Sequence, residues 1–445
     1  MSFQASLDRI IAVLAAIPQH LPDRSCVATG ITTDSRNVKP GQVFLALRGE
    51  KFDGHDFVTK AIAQGAIAAI VDEQFQSADL PLLVVSNTLE AYQAIGHWWR
   101  KQFQIPVIAI TGSVGKTTTK ELIAAVLSQY GKVHKTQANY NNEIGVPKTL
   151  LELNFDHDFA VVEMGMRAQG EIALLSQIAS PDISVITNVG TAHIGRLGSR
   201  EAIAQAKCEL LAEMPTTGVA VLNHDNPLLL ETATKVWQGK TINYGLEGGD
   251  LHGKLLDSDT LQVAGIEFPL PLPGEHNALN FLAALAVTKI LNLDRSKLTT
   301  GITVDLPSGR ARRYELPNDV VILDETYNAG LESMLASLKL LAQTPGNRHI
   351  AVLGTMKELG DWSVQYHQQV GEQVKALKLD RLLILADEAE AEAMAIGASP
   401  LPVEKFTNHA EVVARLKEIL QPGDRVLFKA SRAVGLDRVV ELLLR

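Results

Sequence analysis

The chain is predicted to be an α/β protein of three domains: an N-terminal α/β domain, a central P-loop-type domain with a mostly parallel sheet, and a C-terminal Rossmann-like domain. Three observations predict this. Strands in the middle of the chain are almost continuously apolar and each ends in a polar residue, as strands covered on both faces do. A glycine loop, TGSVGKTTTKE, follows one of them and opens a helix. Beyond residue 312 apolar strands alternate with amphipathic helices.

Length and composition bound the reading. A chain of 445 residues suits about three domains. It is 46% hydrophobic and 20% charged, which supports packed cores. Its net charge of −9 excludes a mainly electrostatic nucleic-acid or anionic-membrane binder. No apolar run reaches membrane-span length, and Met1-Ser2-Phe3-Gln4 does not open a secretory signal. Cys26 and Cys208 are too few for a disulfide framework, so a reducing cytoplasm is expected.

Up to about residue 104, 43–47 and 68–71 read as strands, and 57–66 and 89–103 as helices. Pro106 marks the junction to the next unit. From there to about residue 310, apolar strands end at Glu163, Asn188 and Asn223, and 250–273 looks like an antiparallel insertion. The third unit has strands at 320–323, 350–353, 382–385 and 426–428, with helices at 332–343, 363–377, 410–420 and 436–444. It lacks a G-x-G-x-x-G fingerprint after its first strand, so no dinucleotide site is expected there.

The loop Gly112, Ser113, Val114, Gly115, Lys116, Thr117, Thr118 is a phosphate-binding candidate. Glycines let the backbone approach an anion, and free N–H groups at a helix start point at it. Lys116 would reach the terminal phosphates and the Thr117 hydroxyl can ligate Mg²⁺. The loop reads G-x-x-G-K-T, with Ile110 where the commoner pattern has its first glycine. Glu163, at a strand's carboxyl end in the same sheet, can hold Mg²⁺ or be a solvated acid. His193, after another buried strand, can be a ligand or structural. Lys207 lies in a predicted helix, 200–213, where most lysines are solvated. Asn139, Asn141 and Asn142 crowd one loop, either closing turns or reading a polar substrate. Asn277 can be a helix N-cap, or it and Asn280, three apart, can face one ligand. Arg310, in a basic turn between units two and three, is a solvated hinge or reaches a transferring phosphate. Asp324 ends a strand, with Tyr327 and Asn328 just beyond.

The phrases ITTDSRNVKPGQVFLALRGEKFDGHDF, TGSVGKTTTKE, NYNNEIGVP, VVEMGMRAQGEI, NVGTAHIGRLGS, AKCELL, LPGEHNALN, PSGRARRYEL, LDETYNAGLESM and VLGTMKELG occur in the order seen in the Mur ligase family. Across essentially its whole length the chain resembles these ATP-dependent ligases of peptidoglycan precursor synthesis. The resemblance implies a UDP-substrate-binding domain at 1–105, an ATP-binding domain at 106–311 and a C-terminal Rossmann-like ligase domain at 312–445. It implies that UDP-N-acetylmuramoyl-tripeptide is joined to D-alanyl-D-alanine by a cytoplasmic monomer using ATP and Mg²⁺. Asp34, Ser35 and Arg36 would hold the UDP end, and Asn139 and Asn142 would lie near the muramoyl-peptide. Thr117, Glu163, His193 and Lys207, the last carbamylated, would hold Mg²⁺, reversing the solvated reading of Lys207. Lys116 and Arg310 would face the γ-phosphate, Asn277 and Asn280 the adenine, Asp324 the ribose, and Asn328 would join the nucleotide set. Three third-domain motifs depart from the family pattern: Gly354-Thr355-Met356 for Gly-Asp-Met, Asn328-Ala329-Gly330-Leu331 for Asn-Ala-Asn-Pro, and Lys429-Ala430-Ser431-Arg432 for Lys-Gly-Ser-Arg. The alternatives are a sister ligase adding the third-position diamino acid, whose third-domain Asp-Asn-Pro-Arg is absent, and a nucleotide-binding switch that ligates nothing.

Overall fold

A computed structural model describes residues 3–50 and 52–445; Met1 and Ser2, part of the N-terminal reading above, lie outside them. Among the described residues the strands form sheets of five, nine and six strands and a two-stranded ribbon, which makes the chain α/β as the sequence predicts.

The first sheet runs Ile17–Gln19, Leu82–Val85, Ala68–Asp72, Val43–Leu45, Ile31–Thr32, parallel except at its Ile17–Gln19 edge. The helix predicted at 57–66 is a 3₁₀ turn, Gly54–Phe57, leading into a short α-helix, Val58–Ala63. Asp53 caps the turn, its carboxylate accepting from the His55 N–H at 2.9 Å, and the helix stops before Gly65, whose φ is +109°.

The helix Thr88–Arg100 fastens this unit to the central one. Asn87 starts it, its side-chain oxygen accepting from the Leu89 and Glu90 N–H groups. Gly96 then allows a close crossing, because a Cβ there would sit 3.1 Å from the Cα of Pro147 in the helix Gly145–Leu151. Trp99 is 2% exposed, packs against Phe3, Phe103 and Phe155, and donates its indole N–H to the Leu153 carbonyl at 3.0 Å. Buried Arg100 donates to the Ala179 and Ser180 carbonyls and to Asp182 across the same seam.

The central sheet is ordered Ile266–Pro269, Thr260–Val263, Leu251–Leu255, Lys240–Gly245, Val219–Asn223, Ile183–Ile186, Val107–Thr111, Phe159–Glu163, Val133–Lys135. Its six strands from Lys240–Gly245 to Val133–Lys135 are parallel. The predicted insertion at 250–273 is antiparallel within itself. It is not separate, however: Leu251–Leu255 pairs parallel with Lys240–Gly245 and so extends the main sheet. The apolar helix Glu275–Ile290 covers that edge and packs on the helix Lys116–Leu127 that follows the glycine loop.

The third sheet runs Arg312–Leu316, Val320–Glu325, Asp424–Lys429, Arg348–Gly354, Arg381–Leu385, Val403–Lys405, parallel except for the first strand. Asp424 is fully buried and takes two bonds from Arg348, at 2.8 and 2.6 Å, so the start of this sheet is closed by a compensated ion pair. Among the described residues no helix is long and apolar enough to cross a membrane.

Replacing Trp99 by Ala removes the aromatic centre of the first seam. The expected loss is about 3–5 kcal/mol, as for other large buried aromatics, read as a fall in the denaturation midpoint. An unchanged midpoint contradicts the role given to this seam.

Candidate active site

The chain leaves Val107–Thr111, builds its neighbours on one side, then crosses from Phe159–Glu163 to Ile183–Ile186 on the other. This reversal beside one strand is where open parallel sheets bind ligands, at their carboxyl ends. The glycine loop occupies that place. A Cβ on Gly112 would lie 1.9 Å from Thr187 Oγ1, and one on Gly115, whose φ is +82°, would lie 2.7 Å from Asn280 Oδ1. Glycine is therefore required at both positions.

The segment after Ile183–Ile186 staples the loop. Asn188 Oδ1 accepts from the Val114 N–H at 3.0 Å, while Thr187 Oγ1 and Asn188 Nδ2 donate to the Val114 carbonyl at 2.7 and 3.1 Å. Ser113 Oγ accepts from the Gly190 N–H at 2.8 Å. Lys116 curls over the loop and donates to the Gly112 carbonyl at 2.7 Å. Burial lowers its pKa, neighbouring Arg310 adds to the effect, and Glu163 opposes it.

Glu163 is 2% exposed. Its Oε1 accepts from Asn141 Nδ2 at 2.8 Å, and its Oε2 has no hydrogen-bond partner among the described residues. The nearest cation, Lys120, is 3.9 Å from that oxygen and is itself engaged by the Thr136 carbonyl at 2.8 Å and Glu121 at 2.9 Å. A buried carboxylate oxygen with no partner is costly, and one facing a cleft suits a cation. Arg310 presents the mirror case: its guanidinium lies 3.9 Å over the Tyr327 ring and its buried Nε has no partner.

These groups line one cleft of about 1690 Å³ whose wall draws on all three sheets' surroundings. It carries Asp34, Ser35 and Arg36 from the first, Ser113 to Thr118, Asn139, Asn142, Glu163, His193, Asn277 and Asn280 from the second, and Arg310 and Asn328 at and beyond the junction. Gly112, Lys207 and Asp324 are not on that wall. Gly112 lies beneath the loop. Asp324 is 4% exposed, its Oδ1 taken by the Thr326 N–H and hydroxyl, and burial raises its pKa.

Lys207 corrects the solvated reading drawn from its residue type: it is 1% exposed, in the helix Arg200–Ala212. Burial first, and the charge of Lys116 second, push its amine well below the ordinary lysine range. Asn277 is likewise not an N-cap. Gly274 takes that position, and Asn277 sits in the first turn with its amide donating to the Pro273 carbonyl at 2.8 Å. Asn280 Oδ1 accepts from Thr119 at 3.1 Å, which ties this helix to the phosphate loop. Asn142 Oδ1 closes a turn by accepting from the Gly145 N–H at 2.9 Å. Asp34 is held by Arg36 through two side-chain bonds, which keep its carboxyl far below the usual range.

Sequence reasoning gave no role to Lys120, Asn188 or Glu358, and gave Asn141 only the alternatives of closing a turn or reading a polar substrate. Asn188 carried a signal, a polar residue at the end of a buried strand. Asn141 sat in the noted asparagine loop. Lys120 and Glu358 carried none, because their partners are set by tertiary packing. Among the described residues no three His, Cys, Asp or Glu side chains are clustered to chelate an ion alone. The donor set nonetheless suits Mg²⁺, which is commonly bound by one or two carboxylates with waters and substrate phosphates.

Comparison with known proteins agrees with this geometry. Residues 27–103 match the Mur ligase family catalytic domain, 110–288 the Mur ligase middle domain and 309–432 the Mur ligase glutamate ligase domain. The UDP-N-acetylmuramoyl-tripeptide–D-alanyl-D-alanine ligase of Synechocystis sp. is 60% identical over 93% of this chain and 91% of its own. A crystal structure of MurF from Acinetobacter baumannii superposes with a TM-score of 0.92 at 32% identity, covering 100% of this chain and 99% of that one. MurF ligase from Thermotoga maritima in complex with ADP gives 0.83 at 32% identity, over 93% and 96%. With these relatives aligned along nearly its whole length, the chain belongs to the Mur ligase family.

Proposed function

We propose that the chain is an ATP-dependent ligase that joins D-alanyl-D-alanine to UDP-N-acetylmuramoyl-tripeptide, releasing ADP and phosphate. The observation that carries this reading is the meeting, in one cleft, of a glycine phosphate loop, an unpartnered buried carboxylate and an unpartnered guanidinium. The relatives named above bear the corresponding activity and ADP. The domain bounds 1–105, 106–311 and 312–445, a monomeric state and a cytoplasmic location belong to the same reading.

A carboxylate offers no competent leaving group to an amine. Phosphoryl transfer to the tripeptide's terminal carboxylate makes an acyl phosphate. The amine of the dipeptide then attacks the acyl carbon, phosphate leaves, and the nitrogen gives up a proton. The N–H groups of Ser113 and Val114 are spent on Asn188, so the N–H groups that follow at the helix start, with Lys116, would bind the phosphates and orient them. Arg310 is held over the Tyr327 ring, and its guanidinium would stabilise charge that builds on the transferring group. Thr117, Glu163, His193 and Lys207 would hold Mg²⁺, which supplies charge neutralisation on the phosphate oxygens. The neutral amine that burial favours at Lys207 is the form that adds CO₂ to become a carbamate and release a proton; in that form the side chain offers oxygen donors. Asn277 and Asn280 would face the adenine with Asn328 nearby, and Asp324, behind the cleft wall, would serve the ribose. Asp34, Ser35 and Arg36 would take the UDP end, and Asn139 and Asn142 the muramoyl-peptide. Closure of the three units on one another would keep the acyl phosphate from water.

No observation favours the diamino-acid ligase. The nearest match to its motif, Asp225-Asn226-Pro227, is a structural turn in the central unit: Asp225 accepts from the Leu246 and Glu247 N–H groups, and Asn226 caps the helix Pro227–Val236.

With ATP, Mg²⁺ and both substrates the protein is expected to yield UDP-N-acetylmuramoyl-pentapeptide by mass; product with lysine or diaminopimelate and the dipeptide precursor instead would return the sister ligase. Lys116→Ala should lower kcat at least about 100-fold, the scale of losing one preorganised charge partner, and near-normal turnover refutes the phosphate assignment. Lys207→Ala should lose most activity and regain part with bicarbonate or a short-chain acid, whereas unchanged turnover removes Lys207 from the site.

A further inference from the structure

The loop that staples the phosphate loop is itself gripped from the third unit. Past Asn188, the Thr191 N–H and hydroxyl donate to the Glu332 carboxylate at 2.7 and 3.1 Å, and Glu332 begins the helix Leu331–Gln343 of the third sheet. Gly190 admits that carboxylate closely, since a Cβ there would fall 2.5 Å from its carbon. Two residues on, His193 holds φ at +66° and turns its Nδ1 to Glu358, 2.6 Å from Oε2. Nδ1 is buried, and this carboxylate is the group it approaches. Glu358 also meets Arg196 at 3.4 Å and takes the Gly195 N–H on its carbonyl at 3.1 Å. Its own φ is +66°, and Gly360 packs so tightly that a Cβ on Gly195 would be 2.5 Å from the Gly360 nitrogen. A strained backbone is retained only where its surroundings fix it.

A histidine that binds a metal through one ring nitrogen commonly meets a carboxylate with the other, which sets its tautomer and orientation. Here that carboxylate comes from a different unit than the histidine. We propose that Glu358 is a positioning residue for His193: docking of the third unit turns the Nδ1 side toward Glu358 and leaves Nε2 as the nitrogen for the divalent cation. Glu332 holds the base of the same loop. The third unit thereby completes the cation site beside the phosphate loop, and a nucleotide site without that unit in place is incompletely built. This rests on the reading of His193 as a cation ligand.

The test is ADP binding to the full-length protein, by calorimetry, over a Mg²⁺ series, with Glu358→Ala, Glu358→Gln and His193→Ala. Glu358 is 37% exposed at its side chain, so its replacement leaves the core intact. Expected for Glu358→Ala is a rise of about 10-fold in the Mg²⁺ concentration needed for half-maximal ADP binding, with Mg²⁺-free ADP affinity and melting temperature unchanged. Glu358→Gln, which keeps an acceptor but no charge, should fall between. If His193→Ala shifts the Mg²⁺ requirement and Glu358→Ala does not, the positioning role is overturned. If neither variant shifts it, the proposal falls because His193 is not a ligand.

Discussion

Everything at this site depends on the close approach of the phosphate loop to the strand beside it. The loop can lie against Thr187 only because Gly112 has no Cβ, and against Asn280 only because Gly115 has none and can hold a positive φ. That contact lets Asn188 and Thr187 hold Val114 from both its N–H and its carbonyl, which points the following N–H groups outward from the helix start. The anion site is a consequence of this stapling and not of the glycines alone. The same segment then carries His193, so one short stretch connects the phosphate loop, His193 and the third unit.

Charge is arranged around this centre by burial. Three of the lysines in or under the site are each treated differently. Lys120 is neutralised by Glu121 and the Thr136 carbonyl, which keeps it from closing the free oxygen of Glu163. Lys116 remains at the cleft wall, where a phosphate can meet it. Lys207 has no anionic partner among the described residues and is pushed toward its neutral amine, the form that avoids the cost of a buried, uncompensated ion.

Much of the scaffold was legible in the sequence because buried parallel strands are apolar on both faces and announce themselves by composition: Val107–Thr111, Phe159–Glu163 and Val219–Asn223 all did. The short edge strands Ile17–Gln19 and Ile31–Thr32 had too few residues to show a pattern. The helix Glu388–Ala398 hid because its alternation of Glu and Ala has no helical stripe; it buries alanines and one methionine. The site divided along similar lines. The phosphate loop is local and was readable, as was the glutamate ending a strand. The burial of Lys207, the pairing of Glu358 with His193 and the engagement of Asn141 with Glu163 depend on segments brought together only by folding. No window of the sequence contains them.

The central claim is that phosphoryl transfer to the tripeptide carboxylate precedes attack by the amine in this one cleft. Labelling the terminal carboxylate of UDP-N-acetylmuramoyl-tripeptide with ¹⁸O and measuring the released phosphate by mass tests it most directly. The account predicts that one labelled oxygen passes from the carboxylate to phosphate for each amide formed. Unlabelled phosphate accompanying full amide formation would contradict it, because the carboxylate would then have been activated in some other way.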